Sequence, residues 1–324
     1  MVDVLYQRPI LSFVFIAGLF LICGCAGTRI SPHPMATVPG VSHHFWIGQI
    51  VALDRGEAVS FEELIKQIAA KDLIFVGEVH DNPEHHLIQV QILQALTHCG
   101  TPLAAGMEFF QVPHQTVLDL YLKTDTTEEA FLEGVDWTGN WGYDYLFYRP
   151  LLLLAKGKGI EVLAINATKE IVRKIAREGL DSLSPEERGQ LPEDIDLTNE
   201  AHRAYVREAY EQKAHHGLEN FEYFYEAQCV WEETMALNLA THLSQKNGKL
   251  VVFVGNGHIV KKFGIPYRTI RRVPVSMVTI MPYPLESKTA IEKETADYIW
   301  LTPKYPRRQR MSLADTFERH QPIR

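Results

Sequence analysis

Cysteine is scarce: the 324-residue chain carries four, Cys23, Cys25, Cys99 and Cys229. So placed, they spell neither the ligand pattern of a zinc site nor a disulfide framework. Positive charge is also in short supply. With 32 Lys and Arg against 40 Asp and Glu the net charge is −8, which leaves no general basic surface for a polyanion and argues against nucleic acid as a partner; residues 304–310 form only a local basic stretch. A long apolar run is missing too. LSFVFIAGLFLI, residues 11–22, is shorter than the ~20 residues that a membrane-spanning helix needs. What is left is ordinary globular composition, 46% hydrophobic and 22% charged, enough for one large core or two modest ones.

The apolar run follows Arg8 and reads as an export signal. It ends Ile22-Cys23-Gly24-Cys25, which is similar to the bacterial lipobox, where a small residue precedes the cysteine that is acylated. Gly24 makes Cys25 a better acceptor than Cys23; a plain signal sequence is the alternative. On the lipobox reading residues 1–24 are removed, and residues 25–49, rich in Pro, Gly and Ser, tether lipidated Cys25 to a body that begins near Trp46. Ala26 is not the acidic residue that retains many lipoproteins at the inner membrane, so the outer membrane is expected. Cys99 and Cys229 read as buried thiols, with a single disulfide as the alternative.

Beyond residue 50, short β-rich apolar runs alternate with longer helical patterns. This predicts an α/β fold with a mostly parallel central sheet flanked by helices. Strands are expected at 73–76, 103–107, 160–165, 250–254, 275–281 and 298–301, and helices at 60–70, 83–98, 114–121, 145–156 and 168–178. Asn82 before Pro83 suits an N-cap and first helical position. Residues 181–248 carry no strand signal and read as a helical insertion, two helices parted near Gly217, before the strand at 250–254. The body spans 50–302 and residues 303–324 form a tail.

Polar residues cluster where the strands stop. The first strand is followed by Gly77, Glu78 and His80, the second ends at Glu108, the third at Asn166, and the fourth is followed by Gly255, Asn256 and His258. Ligands of open parallel sheets bind at the carboxyl ends of the strands, so these side chains should meet in one crevice. Two of the turns share the form Gly-x-x-His, GEVH at 77–80 and GNGH at 255–258. Glu78, His80, Glu108 and His258 are the candidate catalytic residues. His80, His258 and Glu108 would suit a divalent transition metal, and the same group could instead activate a water by a base. The bland readings are that the histidines cap the next turn and that Glu108 pairs with an arginine. His85 and His86 read as surface or supporting residues, and His215 and His216 as cations at a helix end.

Aromatics are concentrated in two stretches, DWTGNWGYDYLFYRP at 136–150 and NFEYFYEAQCVW at 220–231. They suit a flat hydrophobic ligand, and a tyrosinate can hold ferric haem axially; an aromatic core is the alternative.

Together FVGEVHDNPEHHLIQVQIL, AGMEFFQ, the block from WGYDYLFYRP onward, AQCVWEETMA and FVGNGHIVKKFGIPYR resemble the ChaN-like haem-binding uptake proteins, within a wider superfamily that includes the Tiki proteases and the erythromycin esterases. The match runs in order from about residue 50 to 301. The resemblance implies a parallel α/β body, a surface lipoprotein, and haem bound through a tyrosine at a homodimer interface, with an outer-membrane haem receptor as a further partner. By position the superfamily's functional core falls on Glu78, His80, Glu108 and His258. No motif fixes the haem tyrosine; Tyr145, Tyr148, Tyr205 and Tyr210 are the candidates. Two functions are therefore expected: a lipid-anchored haem or iron-binding protein, or a metal-dependent hydrolase of an ester or peptide using the Glu/His cluster.

Overall fold

The computed structural model describes residues 34–212, 220–245 and 248–305. Its strands are β1 (Met35–Thr37), β2 (Phe45–Trp46), β3 (Ile50–Ala52), β4 (Glu57–Val59), β5 (Leu73–Glu78), β6 (Leu103–Gln111), β7 (Glu161–Asn166), β8 (Lys249–Gly255), β9 (Met277–Leu285), β10 (Lys288–Ala290) and β11 (Tyr298–Pro303). Six of them run parallel in the order β11-β9-β5-β8-β6-β7, and β3 and β4 extend the β11 edge antiparallel. A small second sheet has the order β10-β1-β2.

Helices cover both faces: α1 (Phe61–Ile68), α2 (Pro83–Leu96), α3 (Gln115–Lys123), α4 (Glu128–Gly134), α5 (Trp137–Asn140) and α6 (Tyr145–Lys158), then α7 (Lys169–Glu178), α8 (Pro185–Arg188), α9 (Glu200–Gln212), α10 (Phe221–Gln245) and α11 (Ile265–Arg272). β5 shows why the parallel strands read as continuous apolar runs. Ile74 and Val76 join the core shared with α2, α3 and α6, whereas Leu73 and Phe75 join the core shared with α10 and α11, so both faces are buried. None of the helices among the described residues is long and apolar enough to cross a membrane.

The parallel α/β architecture expected from the sequence is thus present, and α9 and α10 fill the expected helical insertion. Three particulars differ. The stretch expected to be a tether holds β1 and β2, because Ala36, Val38 and Phe45 are buried in the core despite the Pro and Gly around them. Strand β6 continues past Glu108 to Gln111 through a register irregularity against β7 after Met107. Cys99 is exposed while Cys229 is buried, and both are free thiols. Cys25, His215, His216, Gly217 and most of the basic stretch at 304–310 lie outside the described residues.

Candidate functional site

The carboxyl ends of β5, β8 and β6 lie side by side, with Glu78 in register with Gly255. Glu78 is buried and saturated with partners. Its Oε1 accepts from His80 Nδ1 at 2.7 Å and Tyr148 Oη at 3.1 Å, and its Oε2 accepts from Gln89 Nε2 at 2.8 Å and lies 3.2 Å from His86 Nδ1. Burial alone would raise its pKa; the charge of His86 and the hydrogen bond from His80 outweigh it and bring the carboxyl down to about 2. His86 in turn donates from Nε2 to the His80 carbonyl at 3.1 Å. His85 is wholly buried, accepts from the Val79 N–H at 2.8 Å and bonds Thr302 Oγ1 at 2.9 Å, and burial pushes its pKa down to about 3. The Asn82 cap and Pro83 start α2 so that this face turns inward, which makes His85 and His86 buried supports of the Glu78 turn and not surface residues.

Because Nδ1 of His80 is held by Glu78, its Nε2 is left toward the cleft, with no hydrogen-bond partner among the described residues. Burial would depress this imidazole, but the hydrogen bond and charge of Glu78 hold it above its ordinary value. Gly255 leaves room for the ring: an added Cβ would stand 3.0 Å from His80 Cε1, a tight contact that the imidazole would have to relieve by a small shift.

Glu108 is buried, and its Oε2 accepts from the Gly255 N–H at 2.6 Å. Its Oε1 lies 3.4 Å from His258 Nε2, an ion-pair distance longer than a good hydrogen bond, and has no other partner among the described residues. Among the described residues no arginine pairs with it. Burial would raise its pKa and the charge of His258 lowers it. His258 sits between two carboxylates, its Nδ1 being 3.2 Å from Glu232 Oε1. Burial would lower its pKa, but the charge of Glu108 and the hydrogen bond to Glu232 raise it to about 10. His258 therefore bridges β6 and α10 through these two carboxylates. Among the described residues no group of three or more His, Cys, Asp or Glu side chains is placed to hold an ion, so His80, Glu108 and His258 do not form the expected metal set as arranged.

Behind His258 lies a layer that sequence reasoning missed. Glu232 Oε2 is 3.1 Å from His202 Nε2 and 3.3 Å from Arg268 Nε, and Glu233 binds Arg268, Arg271 and Arg272. Glu232, Glu233, His202 and Arg268 are all buried. Nothing in the sequence marks this layer, because acidic residues within a helix usually face solvent.

In front of His80 opens a cleft of about 290 Å³. Trp141 and Tyr143 stand against the His80 ring with centroids 4.9 Å away, and Trp231 packs on His258 at the same distance. Asn166, at the end of β7, donates to the Glu108 carbonyl at 2.7 Å and accepts from Trp231 Nε1, which ties the far wall to the sheet. Lys169 and Arg173 of α7 complete the lining. Most of the other aromatics of residues 136–150, Trp137, Tyr145 and Tyr148 among them, are core.

The four candidate haem tyrosines do not line this cleft. Tyr145 is buried with its hydroxyl 3.4 Å from Glu128, and Tyr148 is committed to Glu78; burial pushes both phenols up. Tyr205 lines another cavity, of about 650 Å³, and Tyr210 packs between Phe221 and Phe224. Tyr143, passed over as a ligand, is the tyrosine that faces the cleft.

Residues 64–269 match the family described as haem-binding uptake, Tiki superfamily, ChaN. No curated protein matches the chain. Among solved structures, ChaN of Campylobacter jejuni, described for its cofacial haem binding, is 21% identical, covers 78% of this chain and 95% of its own, and superposes with a TM-score of 0.63. A mutant erythromycin esterase in its open conformation is 13% identical, covers 72% of this chain and 76% of its own, with a TM-score of 0.43. The first of these likenesses speaks to the fold, and the match over residues 64–269 speaks to the family: the chain belongs to the haem-binding uptake family of the Tiki superfamily, the family of ChaN.

Proposed function

We propose that this protein binds haem in the cleft over His80 and takes part in haem or iron uptake. The carrying observation is the cleft itself, walled by Trp141, Tyr143 and Trp231 in a member of a haem-binding family. Its volume lies at the lower end of ligand pockets, roughly 300–1,000 Å³, so a macrocycle as large as haem enters with one edge. Tyr143 is the residue placed to offer a phenolate to a ferric iron, the chemistry by which tyrosine holds haem; the aromatic walls would stack on the ring and exclude water. A second copy of the chain would cover the part of the ring left outside. Lipidation at Cys25 would hold the protein at the outer membrane, within reach of a haem receptor. Haem titrated into the purified protein should give a saturable, shifted Soret band; a linear rise with no shift would end the haem reading.

A second reading, hydrolysis, is favoured by one observation. His80 Nε2 faces the cleft near the Glu108 carboxylate, the two lying 3.3 and 3.6 Å from where a Cβ on Gly255 would stand, and a water between them would have a base on one side and an acceptor on the other. Turnover of activated esters that His80→Gln abolishes would support it; no turnover across ester and peptide panels would end it.

A further inference from the structure

We propose that the cleft selects its ligand by carboxylate groups, through Arg173; this deepens the haem reading and rests on it. The chain carries a net charge of −8, yet no Asp or Glu lines the cleft among the described residues, whereas two cations one helical turn apart do. The nearby carboxylates, Glu78 and Glu108, are buried and turned to the histidines. Of the two cations, Lys169 is spent on the loop: its Nζ donates to the Gly139 and Asn140 carbonyls and so anchors the turn that carries Trp141 and Tyr143. Arg173 is exposed and forms no ion pair with any described residue.

An unpaired guanidinium at the mouth of an aromatic cleft fits a planar ligand with acidic groups on one edge. The ring is held between Trp141, Tyr143 and Trp231, and a carboxylate meets the planar fork of Arg173, which binds such groups in bidentate fashion. Haem has this form, with two propionates on one edge. Arg173 is therefore the residue that sets specificity and orientation: the acidic edge stays at the mouth and the apolar edge goes in.

The test uses iron-free protoporphyrin IX and its dimethyl ester, both in the same dilute non-ionic detergent, followed by quenching of tryptophan fluorescence. The native protein should bind the free acid roughly tenfold more tightly than the ester. Arg173→Ala should remove that difference by weakening the acid and leaving the ester unchanged, while Arg177→Ala, one turn further along α7, should change neither. Equal weakening of acid and ester by Arg173→Ala, or no weakening of either, would overturn the proposal. Haem bound normally with acid and ester indistinguishable would overturn carboxylate selection alone, and failure of haem and both porphyrins to bind would overturn the haem reading with it.

Discussion

Glu78 Oε1 stands 2.7 Å from His80 Nδ1, and this one contact orients the imidazole so that Nε2 faces the cleft. Its electrostatics can be read out by pH. The Glu78 carboxyl has a pKa of about 2 in the folded protein against an ordinary 4.5, so its contribution to stability is complete above 4.5 and is lost as pH falls toward 2. Glu78→Gln should lower stability at neutral pH by about 3 kcal/mol, because buried histidines lose their partner, and should flatten the acid limb of Tm against pH. The His80 pKa, followed by NMR, should fall in the same variant; an unchanged value would separate the two residues.

His258 has the opposite sign. Its pKa is raised from 6.5 to about 10, so the stability it contributes is complete below 6.5 and is lost as pH rises toward 10. His258→Ala leaves the buried Glu108 without its charged partner, while Glu232 keeps His202 and Arg268, and should cost about 3 to 5 kcal/mol at pH 7. Thermal melts of the native protein should fall across the alkaline range and those of the variant should not. A parallel fall in both would show that His258 is not the titrating group.

Two neighbouring glycine sites should respond differently. A Cβ at Gly77 would lie 2.0 Å from Asn256 Oδ1, whose amide is held by the Pro282 carbonyl at 2.8 Å. Gly77→Ala must therefore push the turn that carries His258 and should cost about 1 to 3 kcal/mol. At Gly257 nothing lies within 4 Å of an added Cβ, so Gly257→Ala should stay within about 0.5 kcal/mol of the native protein. Equal denaturation midpoints for the two variants would contradict this packing.

Much of this arrangement is legible in the sequence, and the unread part has physical causes. Gly77, His80, Gly255 and His258 announce themselves because the same Gly-x-x-His pattern closes two apolar runs, although both glycines prove to be the last or next-to-last residues of their strands. Glu108 is legible as a residue but not as to place, since the irregularity after Met107 that lets β6 run on to Gln111 has no sequence pattern. His85 and His86 follow a helix cap and so look exposed; only the docking of α2 onto β5 buries them. Glu232 and Glu233 look solvated because charge usually marks surface. Lys169, Arg173 and Trp231 reach the cleft from helices beside the sheet, a tertiary relation that strand-end reasoning does not contain.

In the proposed function haem is bound over His80 and not in the wider cavity lined by Tyr205. Removing the Trp141 wall should weaken haem binding roughly five- to a hundredfold, by loss of stacking worth about 1 to 3 kcal/mol, with far-UV circular dichroism unchanged.

The most direct measurement is a haem titration of the native protein, Tyr143→Phe and Tyr205→Phe side by side, with the ferric visible spectrum recorded at saturation. Loss of the phenolate-to-iron absorption in Tyr143→Phe, with Tyr205→Phe indistinguishable from native, is the predicted result. Retention of that absorption in Tyr143→Phe and its loss in Tyr205→Phe would contradict the account and move the site to the other cavity.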